Sequence, residues 1–213
     1  MISFDPLTVL FFVVALVPGI VLHELSHGVA ADRMGDPTPR TAGRLTLDPR
    51  RHIDPFGTII LPGLLLLPRL FGRSGFPVFG YAKPMPINPA NLKDPERQTM
   101  WIAIAGPFAN LALAVLAAAV LRILEPNSGR LIQLLVIFVD VNILLAVFNV
   151  LPIPPLDGSK VLARFLPPRA REIYRSSEQY AALFILVIFF LFPSVIFAFI
   201  DPIRTGLFDL LVR

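Results

Sequence analysis

The sequence predicts an all-α polytopic membrane protein, and its composition and hydropathy support this fold class. Of its 213 residues, 55% are hydrophobic and only 16% are charged, whereas soluble domains carry about 25% charged residues. The mean hydropathy is +0.71, and several apolar runs approach the roughly 20 residues that a membrane-spanning helix needs. The chain has too little polar surface for a water-exposed globule, so the lipid bilayer is its predicted environment.

Four apolar runs predict full membrane spans within a single membrane-embedded domain that covers residues 1–213. Their approximate bounds are 7–31, 100–122, 131–152 and 180–200. After the last run, apolar and charged residues alternate between 201 and 213. This spacing predicts a short amphipathic turn that lies on the membrane surface.

The stretch between the first two spans has a different composition. Residues 32–99 contain 11 of the 22 prolines, which disfavours long helices there. The apolar run at 59–67 is short for a span, and Phe76–Tyr81 is prone to form a β-strand. Irregular backbone is tolerated at membrane depth only when it is buried in protein or faces a water-filled cavity. We therefore predict a re-entrant or β-hairpin element over about 55–90.

The positions of the 19 Lys and Arg residues predict the topology. If the run near 56–71 does not cross the membrane, segments 32–99 and 152–179 share one side and hold 15 of these residues, against 4 on the other side. If the run crosses, the split is 9 to 10. The positive-inside rule favours the first arrangement. We therefore expect a multi-pass protein of the cell membrane with its N-terminus outside and both segments in the cytoplasm.

Net charge and cysteine content exclude several function classes. The net charge of +4 is spread over connecting segments without interleaved aromatic residues, so no nucleic-acid partner is expected. The chain has no cysteine. This excludes disulfides, thiolate zinc ligands and cysteine nucleophiles.

A His-Glu-x-x-His pattern, formed by His23, Glu24 and His27, ends the first predicted span. Positions four apart lie on one face of a helix, so the two imidazoles can bind one zinc ion, Zn²⁺, with Glu24 as a general base beside the metal-bound water. The simpler alternative is a set of polar side chains that satisfy one another. An ionisable group inside a membrane segment costs at least about 2.5 kcal/mol, which favours the metal site.

A catalytic zinc ion usually takes three protein ligands and keeps one position open. The candidates for the third ligand are His52, in the Pro-rich segment, and Asp157, shortly after the run at 131–152. With four spans, the histidine pair and Asp157 lie toward the same, cytoplasmic side. Topology therefore favours Asp157, and His52 is interpreted as an interfacial or turn residue.

These motifs together resemble the site-2 protease family of intramembrane zinc metalloproteases. The second family-like motif is Asn149-x-x-Pro152-x-x-x-x-Asp157-Gly158, and Gly106–Asn110 is similar to the family's Gly-x-x-x-Asn motif. The stretch 55–89 is similar to its membrane-associated strand region. The resemblance covers about residues 7–165, and no segment has the length for a PDZ-like or nucleotide-sensing domain, so a minimal form is expected.

The resemblance implies a zinc metalloendopeptidase that cleaves membrane proteins in or near their transmembrane segments. It implies zinc ligation by His23, His27 and Asp157, catalysis by Glu24, and active-site roles for Asn110 and Asn149. Asn110 could donate to a substrate carbonyl or oxyanion, or could form a hydrogen bond between helices. Asn149 is interpreted as a positioning residue, and Asn142 as a packing residue. Recruitment of the substrate falls to the cytoplasmic segments or to a partner protein.

Two non-proteolytic functions are the alternatives. In a membrane metal transporter or channel, the His and Asp side chains would mark an ion path. In a helix-binding adaptor, the fold would persist without catalysis, although an adaptor has no chemical need for all of His23, Glu24, His27 and Asp157. The sequence leaves the substrate and the oligomeric state open.

Overall fold

Helices make up the regular structure of the described residues. The computed structural model describes residues 6–60, 81–176, 180, 187 and 191–213. The helices are α1 (Pro6–Arg33), α2 (Thr38–Thr41), α3 (Pro95–Leu124), α4 (Gly129–Val150), α5 (Asp157–Phe165), α6 (Pro168–Ser176) and α7 (Pro193–Val212). Short 3₁₀ turns lie at Pro49–Arg51 and Pro89–Asn91, and a π-helical turn lies at Pro55–Ile60. Within these ranges the structure contains no strand, which confirms the all-α fold class.

Helices α1, α3 and α4 are long and apolar enough to cross a membrane. The shortest, α4, has 22 residues and is therefore about 33 Å long, comparable to the roughly 30 Å hydrocarbon core of a bilayer. The chain is thus a membrane protein, as predicted. The number of spans stays a prediction, because most of the run 180–200 and the central part of the expected re-entrant or hairpin element, 61–80, lie outside the described residues.

Small side chains allow α3 to pack closely against α4 and α7. The buried cluster between these helices consists of Ala114, Ala117, Ala118, Val139, Ile143, Val147, Ile196 and Ile200. Lipid tails are as apolar as these side chains, so dispersion contacts between closely approaching backbones hold the helices together.

The C-terminal tail differs from the sequence prediction. A surface-lying turn was expected after residue 200, whereas one helix runs from Pro193 to Val212. The helix begins at Pro193 because the first turn of a helix does not need the N–H that proline lacks. Leu207, Phe208 and Leu211 pack against the cluster between α3 and α4. The predicted surface position of the tail is therefore wrong, since its apolar stripe continues that of the preceding turns.

An ion pair joins α7 to the middle of α4. Arg204 donates from Nε and Nη2 to Asp140 Oδ1 and Oδ2, at 2.8 and 2.7 Å, which is the strong bidentate geometry. The two side chains are 34% and 27% exposed. Arg204 is one of the four Lys and Arg residues that the predicted topology places on the outer side, but its charge is neutralised within the bundle. Pairing lowers the cost of both charges in membrane helices.

A buried carboxylate fixes the end of α1 to the segment before α3. Asp36 is fully buried and accepts hydrogen bonds from the backbone N–H of Asn88 and from Asn91 Nδ2, both at 2.7 Å. Burial alone would raise the pKa of Asp36, but these bonds and those from Thr38 lower it below its ordinary value. The ionised carboxylate thereby sets where α3 begins relative to the end of α1.

Candidate metal centre

A tight turn after α4 brings Asp157 back to the helix bundle. Gly158 is required at this turn, because a Cβ there would lie 2.0 Å from the carbonyl oxygen of Val150. The close approach of the two backbone segments requires glycine here. A left-handed conformation does not, because Gly158 is not among the residues with positive φ. Asp157 is the first residue of α5, where the helix dipole favours a negative charge.

Two histidines of α1 meet Asp157 inside the bundle. His23 Nε2 and His27 Nε2 each lie 3.0 Å from Asp157 Oδ2 and 3.1 Å from one another. The side chains are at most 8% exposed. Among the described residues, His23, His27 and Asp157 form a group whose ligand atoms lie close enough together to hold a metal ion.

The other ring nitrogen of each histidine is hydrogen-bonded to an oxygen atom. His27 Nδ1 donates to the carbonyl oxygen of Ile102 at 2.7 Å, and His23 Nδ1 donates to Asn110 Oδ1 at 2.6 Å. These oxygens can only accept, so Nδ1 carries the proton of each neutral ring and Nε2 carries a lone pair. Two ring nitrogens and a carboxylate oxygen therefore converge on one point, an arrangement that a bound metal ion, or a proton on one of the rings, would stabilise.

The donor atoms and their spacing fit zinc. Zinc binds histidine nitrogen and carboxylate oxygen at about 2.0–2.2 Å, and tetrahedral geometry then separates neighbouring ligand atoms by about 3.3 Å. The observed separations of 3.0 and 3.1 Å differ from this value by a few tenths of an ångström. Three protein ligands are also the number typical of a catalytic zinc site.

A chain of amides fixes the orientation of His23. Asn110 Nδ2 donates to the carbonyl oxygen of Gly19 and to Asn142 Oδ1, both at 3.0 Å. Asn142 Nδ2 in turn donates to the carbonyl oxygen of Phe138 at 2.9 Å. Because backbone carbonyls only accept, both amide orientations are determined, and Asn110 Oδ1 faces His23. Both N–H groups of Asn110 are used, so the geometry favours a positioning role over donation to an oxyanion.

Gly106 of α3 makes room for the two imidazoles. A Cβ at this position would lie 2.4 Å from His27 Nε2 and 2.7 Å from His23 Cε1. Any side chain at Gly106 would therefore push against the ligand atoms themselves. This contact explains the glycine of the Gly106–Asn110 segment.

Charged side chains flank the three candidate ligands. Glu24 is half-buried, and its side chain takes part in none of the hydrogen bonds or ion pairs among the described residues. Lys160 Nζ lies 3.3 Å from Asp157 Oδ1, the carboxylate oxygen that faces away from the histidines. The sequence prediction did not include Lys160, although its position three residues after Asp157 in α5 was the available signal.

Asn149, a predicted site residue, and His52, the disfavoured candidate for the third ligand, lie apart from the ligand group. Asn149 Nδ2 donates to the carbonyl oxygen of Leu145 in its own helix, at 2.9 Å. His52 is buried, and its Nε2 donates to the carbonyl oxygen of Thr46 in the Pro-rich segment, at 2.9 Å. Conversely, Asn142, interpreted from sequence as packing, belongs to the amide chain. No local signal could identify it, because its partner Asn110 is 32 positions away.

The fold and the site define a class of protein: a membrane protein with a His-Glu-x-x-His helix and a candidate metal centre. The chain belongs to peptidase family M50, whose model matches residues 11–127 and 125–193. This match confirms the resemblance to the site-2 protease family.

Relatives of the chain carry the name "putative zinc metalloprotease". YwhC of Bacillus subtilis is 36% identical over 187 residues, which cover 84% of this chain and 80% of YwhC. Rip2 of Mycobacterium tuberculosis is 34% identical over 171 residues, covering 80% of this chain but only 62% of Rip2. MJ0611 of Methanocaldococcus jannaschii is 32% identical over 167 residues, covering 75% of this chain and 74% of MJ0611. No solved structure matches the chain. The relatives' names and the donor set both indicate zinc as the cofactor.

Replacing Gly106 with alanine tests the close packing around the imidazoles. We expect Gly106→Ala to weaken zinc binding by at least about tenfold, because the added methyl group displaces the ligand nitrogens. Gly206→Ala in α7 is the matched control, since a Cβ there meets no atom within 4 Å. Zinc per chain, measured by atomic emission on purified protein, with circular dichroism to verify helix content, is the readout. Full zinc content in Gly106→Ala would contradict the contact.

Alanine substitution of Asn110 and Asn149 separates their roles. Asn110→Ala removes the acceptor that orients His23, so we expect zinc affinity to fall by about 10–100-fold. Asn149→Ala breaks only a bond within α4 and should leave zinc affinity within about twofold of wild type. Competition with a chelator of known affinity measures both values. Equal effects of the two substitutions would show that the amide chain does not orient the ligand.

Proposed function

We propose that this protein is an intramembrane zinc metalloendopeptidase that hydrolyses peptide bonds in or near the transmembrane segments of membrane-protein substrates. The observation that carries the proposal is the convergence of His23 Nε2, His27 Nε2 and Asp157 Oδ2 on one point, with Glu24 adjacent. Membership of a peptidase family supports hydrolysis as the reaction. The placement of this group among helices of membrane-spanning length supports a substrate that lies in the bilayer.

In this proposal, His23, His27 and Asp157 hold the zinc ion and Glu24 moves the proton. Zinc supplies a Lewis acid that polarises a scissile carbonyl and acidifies water. Glu24 has no ion-pair partner among the described residues, so its carboxylate is free to take a proton from the attacking water and to deliver it to the leaving amine. Asn110 keeps His23 in the tautomer that presents Nε2, and Asn149 stabilises the end of α4 before the turn.

The substrate must be extended where it is cut, because an α-helix engages its carbonyl groups in hydrogen bonds. The segment 81–85 offers a template for an extended chain. The N–H groups of Tyr81 and Lys83 donate to the carbonyl oxygens of Gly57 and His52, at 3.0 and 2.9 Å. Alternate backbone groups of an extended segment point to opposite sides, so those of Ala82 face away from these bonds. We propose that this side, whose backbone groups bond to none of the described residues, pairs with the unwound substrate.

We also propose that the N-terminus lies outside the cell membrane and that the metal centre lies toward the cytoplasm. Segments 32–99 and 152–179 hold 15 of the 19 Lys and Arg residues, and cytoplasmic loops are enriched in these residues. Recruitment of substrates by another protein, where it occurs, would then involve these two segments.

Single cysteines test this orientation against a clean background, because the chain contains no cysteine. Asn127, in the α3–α4 loop, and Ala90, before α3, are both exposed. A membrane-impermeant maleimide should label Asn127→Cys in intact cells, and should label Ala90→Cys only after permeabilisation. The reverse pattern would place the metal centre on the outer side.

Substitution of Glu24 tests the reaction. Purified Glu24→Gln should keep its zinc but cleave a co-reconstituted reporter about 10²–10⁴-fold more slowly, because it cannot transfer the proton. The reporter is a single-span protein, tagged at both ends, whose transmembrane helix carries Gly and Pro residues that ease unwinding. His23→Ala and Asp157→Ala should lose both zinc and cleavage, whereas the control His52→Ala should keep its zinc.

Three outcomes would contradict the proposal. Cleavage by Glu24→Gln at the wild-type rate would remove Glu24 from the mechanism. A zinc-loaded wild type that binds the reporters without cutting any of them would favour the adaptor. Zinc flux across liposomes in place of cleavage would favour the transporter.

A further inference from the structure

We propose that Lys160 is a positioning residue of the metal centre: it holds Oδ1 of Asp157, so that the carboxylate offers a metal ion Oδ2 alone. A four-coordinate ion held by His23, His27 and this one oxygen keeps a position open for the reaction. This inference deepens the proposed function and rests on it. Its support comes from the separate partners of the two carboxylate oxygens, from the burial of Asp157 and from the place of Lys160 in α5.

The two oxygens of the Asp157 carboxylate have different partners. Oδ2 lies 3.0 Å from the Nε2 atoms of both histidines, whereas Oδ1 lies 3.3 Å from Lys160 Nζ. Among the described residues, Lys160 supplies the bond to Oδ1, and its ammonium group takes part in no other hydrogen bond. One oxygen is thus directed to the candidate metal position, and the other is directed to Lys160.

This division matters because a carboxylate can bind a metal ion through one oxygen or through both. The torsion that turns the carboxylate of an Asp side chain is broad and roughly two-fold, so the group turns easily when nothing holds it. Binding through both oxygens of Asp157 would give the ion four protein ligand atoms in place of three. The position that a catalytic zinc site keeps open would then be occupied. A donor fixed on Oδ1 opposes this turn.

Burial distinguishes this contact from an ordinary surface ion pair. The side chain of Asp157 is 8% exposed and that of Lys160 is 36% exposed. Pairs between two solvated side chains contribute little to stability, but a buried carboxylate oxygen that lacks a partner is unfavourable. Lys160 supplies that partner while part of its own side chain still reaches the surface.

Helix α5 sets the direction of the Lys160 side chain. The helix packs against α3, and its buried residues are Asp157, Gly158, Ser159 and Ala163. Lys160 follows Asp157 by three residues, so the two side chains are neighbours on the helix surface. The tight turn that brings Asp157 to the histidines therefore also brings Lys160 to Oδ1. The candidate ligand and the group that holds it belong to one helix.

Cobalt, Co²⁺, reports the number of ligand atoms, because its visible absorption bands weaken when a four-coordinate site becomes five-coordinate. The full chain is purified without metal and loaded with Co²⁺, and its visible absorbance is measured per bound cobalt. The wild type should show the intense bands of a four-coordinate site. Lys160→Met should keep its cobalt but lose at least about half of this absorbance, because the released Oδ1 becomes a further ligand atom.

Arg164→Met is the matched control. It removes the same charge from α5 one turn further along, where Arg164 is exposed and its side chain forms no hydrogen bond or ion pair among the described residues. Its spectrum should equal that of the wild type. Lys160→Arg should also keep the four-coordinate spectrum, because a guanidinium can donate to the same oxygen.

A wild-type spectrum in cobalt-loaded Lys160→Met would overturn the inference. An equal loss of absorbance in Arg164→Met would also overturn it, because the charge of α5 would then be the cause. Should Lys160→Met bind no cobalt, Lys160→Arg decides: a four-coordinate spectrum would support the bond to Oδ1, and a five-coordinate one would exclude it. A wild type with a four-coordinate cobalt spectrum that cuts no reporter when loaded with zinc would instead count against the proposed function alone.

Discussion

Repulsion between two imidazole lone pairs and a carboxylate oxygen is the constraint on which the rest of the structure depends. The three atoms lie 3.0–3.1 Å apart, a spacing that a bound metal ion, or a proton on one of the rings, makes favourable. Every element around them acts to hold this arrangement: two backbone positions without side chains permit the close approach, and two oxygen acceptors prevent the rings from turning. The spacing of the helices therefore fits a metal ion, and an ion bound by these three side chains would link α1 to α5.

The side-chain amides of Asn110 and Asn142, beside His23, form their hydrogen bonds in a fully buried environment. Asn110 and Asn142 are fully buried, so their dipoles are not screened by bulk water. Asn110 bonds to α1 and to α4 while it orients an imidazole, and the same group thereby stabilises helix association and selects a tautomer. The packing of the helices and the tautomer of the His23 imidazole are consequently coupled.

The metal-binding pattern was predictable because helix geometry places residues four apart on one face, whatever the rest of the fold. Asp157 was predictable through topology, since the distribution of charges brings it to the same side as the histidines. The choice between the two roles considered for Asn110, an oxyanion donor or a hydrogen bond between helices, was not predictable, because it depends on partners 91 and 32 positions away in the chain. The course of α7 was mispredicted for a related reason: charges among its apolar residues suggested a surface helix, but Arg204 finds its partner on α4. Tertiary partners, rather than local composition, decide both outcomes.

The pairing of Asp140 with Arg204 has a consequence for biosynthesis. Arg204 is 64 positions further along the chain, so at roughly 5–20 residues per second it is synthesised about 3–13 s after Asp140. During that interval α4 carries an uncompensated carboxylate, and an apolar bilayer disfavours it. Helix α7, which is made later, therefore completes the insertion of α4, and a nascent chain that stops before α7 would leave α4 poorly anchored.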